Sequence, residues 1–305
     1  MTTLPHDDLW PRAGHWLTTE KSQQHQELTY LGVPAFKTSL SITNAHATPA
    51  AVREALLRYS TYSWAHDLDL RSLNFFDSGD VVDPDFADGE VRVEKKIAEL
   101  ANTDLLVAVG GDNSITYSVA KSVWGNQIGK AGLITFDAHH DLRDGQSNGS
   151  PVRRLIAAGL SGTHVVQIGI SDYANSAEYA KRAREYGITV ITRDALRRRT
   201  LTDVMNEALE VAGASGGPIH VDVDVDVCDR SAVPACPAAA PGGISADELR
   251  QLTHLACLNP SVKSVDFTEI DATIDTPDQR TVRLAALCIL EAAAAIAIRT
   301  NKTKN

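Results

Sequence analysis

Eight short runs of β-type residues punctuate the chain: Leu28–Val33, Leu73–Phe76, Asp104–Val109, Ala131–Phe136, His164–Ile168, Thr189–Ile191, Pro218–Asp226 and Val262–Glu269. Between them the period of the apolar positions changes. Val93, Ile97 and Leu100 fall on one side of a helix over Glu90–Leu100, and Ala51, Ala55 and Leu56 recur at helical spacing up to Tyr59. Thr48-Pro49 predicts the start of that earlier helix, with Thr48 as cap and proline at the first helical position. Glu178–Tyr186, Leu201–Ala212, Ala246–Cys257 and Thr281–Ile298 read as further helices. Several strand runs are apolar throughout, as expected when helices cover both faces of a parallel sheet. The pattern predicts an α/β protein: a three-layer α/β/α sandwich around an eight-stranded, mainly parallel sheet. Residues 1–27 are polar and predict an arm, with Ser22, Gln23, Gln24 and His25 adjacent. Residues 28–305 predict one domain, with no Pro- or Ser-rich linker and no internal repeat.

Composition narrows the function. With 305 residues, 43% of them hydrophobic, there is ample material for a core, which excludes a disordered or fibrous chain. Twenty-nine basic against 39 acidic residues leave a formal charge of −10, which argues against nucleic acid or an anionic membrane as the main partner. Cys228, Cys236, Cys257 and Cys288 form neither a CxxC motif nor a disulfide framework, so a reduced, cytoplasmic protein is expected. Met1–Trp16 lacks signal-peptide architecture, and Glu291 interrupts the Ala-rich stretch Leu284–Ile298, which predicts a buried helix rather than a membrane span.

In such a sheet, ligands sit beyond the carboxyl ends of the strands, so the residues directly after each apolar run carry the chemistry. Gly110-Gly111-Asp112-Asn113-Ser114 is the first such place; taken alone it is a tight strand-to-helix turn, and neither GxGxxG nor GxxxxGK[ST] is present. The second is Asp137-Ala138-His139-His140-Asp141. In an extended segment Asp137, His139 and Asp141 project to one side, and two carboxylates flanking an imidazole suit a divalent cation of intermediate hardness. The third, His220 to Asp229, alternates Val with Asp222, Asp224 and Asp226. Carboxylates about 7 Å apart along a strand repel unless solvated or bridged by cations. Together the two blocks supply enough carboxylates for a dinuclear site with ions roughly 3.5–4 Å apart. Little histidine and no cysteine among the ligands favours Mn²⁺ or Mg²⁺ over Zn²⁺. No GxSxG elbow offers a competing nucleophile.

These blocks, in order, resemble the ureohydrolase superfamily of arginase, agmatinase and formimidoylglutamase. Asp266-Phe267-Thr268-Glu269-Ile270-Asp271 adds a fourth match, and the likeness runs from about Leu28 to Ile298. After Asp141, Leu142-Arg143 and Gly149-Ser150-Pro151-Val152-Arg153 are similar to the formimidoylglutamase version. The resemblance implies an arginase-like fold and hydrolysis of a linear amidine by metal-activated hydroxide. N-formimino-L-glutamate, cleaved to glutamate and formamide in histidine breakdown, is the implied substrate. Two Mn²⁺ ions would be bridged by Asp137 and Asp224, one site completed by Asp141 and Asn113, the other by His139 and Asp226. Asp141 and Glu269 would act in catalysis, Glu269 also holding the amidinium, with His140 assisting. Arg143, Arg153 and Asn148 would contact the substrate, the two guanidinium groups reading its carboxylates.

Two departures stand out. Asn113 replaces the superfamily's usual histidine ligand, and position 148 is not the histidine of arginases. A homo-oligomer, trimer or hexamer, is implied by the resemblance alone. The rival expectations are a guanidino-compound hydrolase and, because of Asn113, a catalytically silent binding protein.

Overall fold

The structure, a computed structural model, describes residues 5–20, 25–100 and 102–303, the side chains of 301–303 excepted. The Ser22–Gln24 part of the expected arm lies outside the described residues.

Eight strands form one sheet: β1 (Gln26–Val33), β2 (Phe75–Asp80), β3 (Thr103–Gly110), β4 (Gly132–Phe136), β5 (Val165–Ile170), β6 (Thr189–Thr192), β7 (Ile219–Asp224) and β8 (Val262–Thr268). Their order is β2-β1-β3-β8-β7-β4-β5-β6, and every pair is parallel. All eight predicted runs are strands. The chain lays down β1, β2 at the edge and then β3 on one side, builds outward through β4, β5 and β6 on the other, and β7 and β8 return to fill the gap. Strand order reverses there, so the ends of β3, β8, β7 and β4 open a crevice at the carboxyl edge.

Helices cover both faces. On one lie α1 (Thr48–Leu56), α6 (Leu201–Ala212), α7 (Ala246–Cys257) and α8 (Arg280–Thr303); on the other, α2 (Phe86–Ala98), α3 (Ile115–Trp124), α4 (Pro151–Ala157) and α5 (Ala177–Tyr186). The Val residues of β7 face the first layer, whose largest member is α8. That helix is long and apolar enough to cross a membrane, yet 72% of its apolar window is buried inside the fold. Glu291, which interrupts its apolar run, pairs with Arg250 at 2.6 Å.

Two local expectations change. Thr48 does not cap α1: a short 3₁₀ turn precedes it, Ala47 is the cap position, and the Thr48 hydroxyl donates to the carbonyl of Ile270. Helix α3 follows the Gly110–Ser114 strand-to-helix turn, whereas α4 stands where no helix was predicted. The Ile, Thr, Tyr and Val content of α3 reads as strand, and α4 has only seven residues.

Before β1, Ala13–Trp16 forms a single helical turn with Ala13 buried. The Trp16 indole donates to the carbonyl of Leu73 and meets Phe75 edge-on at 4.9 Å. Thr18 pairs with β2 through two backbone bonds, which covers part of an otherwise open sheet edge.

Candidate metal centre

The carboxyl ends of the central strands stack polar residues in two rows. The upper row is Thr268 of β8, Asp224 of β7, and Asp137 just past β4. One rung deeper, Asp266, Asp222 and Thr135 are cross-strand neighbours. Asp224 and Asp222 share a face as expected, but Asp226 does not: Val225–Val227 turns into a 3₁₀ segment after the Asp224 carboxylate accepts the Asp226 N–H at 2.9 Å. The turn carries Asp226 over toward the Asp137–Asp141 loop, where its Oδ1 accepts the Ala138 N–H at 2.9 Å.

Asp137, His139 and Asp226 converge closely enough to share one ion. His139 Nδ1 lies 2.7 Å from Asp226 Oδ2 and 3.6 Å from Asp137 Oδ1. In each carboxylate one oxygen is fixed by a backbone N–H, from His139 to Asp137 and from Ala138 to Asp226. The other, Oδ2, is buried: that of Asp137 has no hydrogen-bond partner among the described residues, and that of Asp226 faces only the His139 ring. A buried oxygen without a partner is costly, and a divalent cation would satisfy it while replacing the His139 proton beside Asp226. Electrostatics agree. Burial opposes a charged His139, yet Asp137 and Asp226 outweigh it and push the ring up to about 11. Burial, then Asp226, pushes Asp137 up to about 6. Asp141 and Asp224 are also pushed well above the usual carboxylate range, by burial first and then by Asp137 for Asp141 and by Asp226 for Asp224. A cluster that retains protons in this way is short of positive charge, so the residues present fit a metal.

Asn113 is the exception among the expected ligands. Its Nδ2 donates to Asp141 Oδ2 at 2.6 Å, while its Oδ1 accepts from the hydroxyls of Thr116 and Thr268. The amide therefore turns its nitrogen, not its oxygen, toward the cluster, and would ligate only after rotating. Its N–H donates to Glu269 Oε1 at 2.8 Å, and Asn148 Nδ2 donates to the same oxygen at 2.9 Å. Glu269 Oε2 is left available, and burial, then Asp112, pushes Glu269 up to about 7.

The two expected carboxylate readers part company. Arg143 is exposed and its guanidinium makes no ion pair or hydrogen bond among the described residues, while its stem packs against Gly149. Arg153 is engaged elsewhere: Nε donates to the carbonyl of Arg143 at 2.6 Å and an NH₂ group to that of Gly145. It shapes the loop that carries Arg143. His140 is also turned away from the cluster, its Nδ1 hydrogen-bonded to Gln167 at 2.7 Å.

Several supports left no sequence signal. Asp141 and Glu269 both adopt left-handed backbone conformations, φ 53° and 63°. These are costly for side-chain-bearing residues and cluster at functional sites. Gly111 is required by proximity, since a Cβ there would lie 1.7 Å from the Ala35 carbonyl oxygen. Buried Arg193 donates to the backbone carbonyls of Gly169 and Asp226, which brings a fixed positive charge behind the carboxylates. The loop after β1 is pinned by Asp85 at Phe36 and Lys37, by Asn148 at Leu40, and by Asp271 at Asn44, and so walls the crevice beside Glu269.

Fold and site together define a metal-dependent hydrolase built on a parallel sheet. The chain belongs to the arginase family, whose model matches residues 26–295. It is 37% identical over 271 residues to the formimidoylglutamase of Halalkalibacterium halodurans, covering 85% of this chain and 84% of that protein. Among solved structures, formimidoylglutamase from Bacillus subtilis superposes with a TM-score of 0.90 at 31% identity, over 96% of this chain and 94% of that one. The formiminoglutamase of Trypanosoma cruzi, solved with Mn²⁺, shares the fold at a TM-score of 0.85 and 23% identity, over 95% and 99% of the two chains.

Proposed function

We propose that the protein is a formimidoylglutamase that hydrolyses N-formimino-L-glutamate to L-glutamate and formamide with a manganese-type metal, two ions per chain. The relatives' activity and the Mn²⁺ of the trypanosomal neighbour support this reading. The observation that carries the substrate choice is Arg143, an unpaired guanidinium among the described residues, on the same loop as Asn148, which in turn holds Glu269. A substrate with two carboxylates suits it; agmatine, cationic at both ends, would be repelled.

Asp137, His139, Asp224 and Asp226 would hold one ion, and Asp137, Asp141 and Asp224, with the Asn113 amide, the other. A divalent ion in such a site lowers the pKa of bound water from about 15.7 toward about 7 and so supplies the nucleophile. The protein's own groups do the rest. Glu269 presents Oε2 to the cationic amidinium, its other oxygen already held by Asn113 and Asn148, so little reorganisation is needed. Asp141, pushed up by burial and then by Asp137, is suited to take and return a proton at Oδ1. Arg143 orients the carboxylates by charge-assisted hydrogen bonds.

The test is a substrate panel with Mn²⁺-reconstituted protein. Formamide and glutamate release from N-formimino-L-glutamate is expected. Urea release from agmatine, arginine or a guanidino acid, without formamide release, would overturn the assignment.

A further inference from the structure

A cavity of about 390 Å³ is lined by α5, the ends of β5 and β6, the loop after β5 and His140. None of the candidate metal ligands lines it, but His140 does. The hydrogen-bonding state of that imidazole is fixed by Gln167. Gln167 Nε2 donates to the His140 carbonyl, which can only accept, at 3.0 Å. Its Oε1 is therefore the atom facing the ring, 2.7 Å from Nδ1, and Nδ1 must carry the hydrogen. Nε2 is left as a lone-pair acceptor. It has no hydrogen-bond partner among the described residues, although His140 is only 4% exposed. Asn175 Oδ1 accepts the His140 N–H at 2.9 Å, and Asn175 Nδ2 donates to the Ala138 carbonyl, so the ring's position is set before anything binds.

Two charged residues of opposite sign also line the cavity. The Arg184 guanidinium and the Asp172 carboxylate each lack an ion pair or hydrogen bond among the described residues. Ala180, Ala183 and Ile188 add apolar lining. The volume falls within the roughly 300–1,000 Å³ of small-molecule sites, which pair apolar walls with a few convergent polar groups.

We propose that this cavity binds a free α-amino acid with an aliphatic side chain, as its zwitterion. The ammonium donates to His140 Nε2 and meets Asp172, the carboxylate pairs with Arg184, and the side chain covers Ala180, Ala183 and Ile188. A molecule carrying only one pole leaves one charged partner unmatched. The site is independent of the proposed reaction and does not require metal.

Calorimetric titration of L-leucine into the full-length protein tests this, with isocaproate and isoamylamine as probes that each keep one pole. One saturable event per chain is expected for leucine, with each half-ligand weaker by at least about tenfold. Arg184→Gln and Ala180→Leu, the latter filling the cavity, should each weaken leucine by at least about tenfold at an unchanged thermal midpoint. Glu269→Gln, in the metal crevice, should leave leucine binding intact. No saturable heat, leucine affinity as tight as the parent's in both cavity variants, or loss of binding in Glu269→Gln would each overturn the proposal.

Discussion

His139 Nδ1 and Asp226 Oδ2 stand 2.7 Å apart, yet Asp226 Oδ2 accepts no hydrogen bond of acceptable direction. Both atoms lie within 4.8 Å of a ligand oxygen of Asp137. A cation belongs among these three groups, and the proton that the two carboxylates hold on His139 must leave when one arrives.

Metal uptake should therefore release protons. With His139 pushed up to about 11 by Asp137 and Asp226 against the effect of burial, the ring is charged at neutral pH and cannot ligate. Affinity for Mn²⁺ should rise between pH 6.5 and 8.5. Titration in buffers of different ionisation enthalpy should show about one proton released for the first ion. Uptake without proton release would mean that His139 is not a ligand.

Glu269 makes the metal-stripped protein sensitive to pH in the opposite direction from ordinary acid denaturation. Burial, then Asp112, pushes it up to about 7, and burial pushes Asp112 itself up to about 6. In the unfolded chain such groups ionise near pH 4. The folded state thus holds more protons between these values. Stability is fully present below about pH 4 and is lost as pH rises to about 7. At about 1.4 kcal/mol per pKa step of one, Glu269 alone represents on the order of 3 kcal/mol. Urea unfolding of the stripped protein should give a lower midpoint at pH 8 than at pH 5, and Glu269→Gln should reduce the difference.

Arg143 and Arg153 should separate in mutagenesis. Arg143→Ala removes an exposed, unpaired guanidinium and should raise KM by roughly tenfold to a hundredfold, about 1.5–3 kcal/mol, with the fold unchanged. Arg153→Ala removes donors to the carbonyls of Arg143 and Gly145, so it should lower the thermal midpoint and disorder the loop as well. Unchanged KM in Arg143→Ala would remove the reason for preferring a dicarboxylate substrate.

Arg193 should matter for stability more than its distance from the crevice suggests. Arg193→Met leaves the carbonyls of Gly169 and Asp226 without their donor and removes a buried positive charge behind the carboxylates. A loss of about 2–4 kcal/mol in urea unfolding is expected, with weaker Mn²⁺ binding. A variant as stable as the parent would show that water replaces the guanidinium.

The strands were legible because a sheet covered on both faces leaves long apolar runs, and β7 is buried from end to end. Asp137, His139 and Asp226 were legible because each follows such a run within a few residues. What the residues could not disclose is direction. Arg153 and Arg143 have the same chemistry, and only the loop path decides that one grips carbonyls while the other stays free. Asp222 belongs to the same alternation as Asp224, but one rung of depth places it against Asp266 rather than in the cluster. Arg193 lies far along the chain from Asp226 in a short helical turn with no motif around it. Such contacts arise from tertiary packing, to which local pattern is blind.

Asn113 yields the last prediction. Its Nδ2 donates to Asp141 Oδ2, and its oxygen is occupied by the hydroxyls of Thr116 and Thr268. To ligate, the amide must rotate, give up these bonds, and then serve as a neutral donor for an ion near the weak end of the divalent affinity series. The Asp137–His139–Asp226 trio needs no such rearrangement. Metal should therefore enter in two unequal steps, one tight and one readily lost, with activity rising as Mn²⁺ is added. Asn113→His supplies an imidazole without the competing amide hydrogen bond and should tighten the second step, while Asp224→Ala should abolish both. Calorimetric titration of Mn²⁺ into stripped protein resolves the steps. Two equal, tight sites in the parent chain would show that the amide rotates at no net cost, and the asymmetry argued from Asn113 would fall.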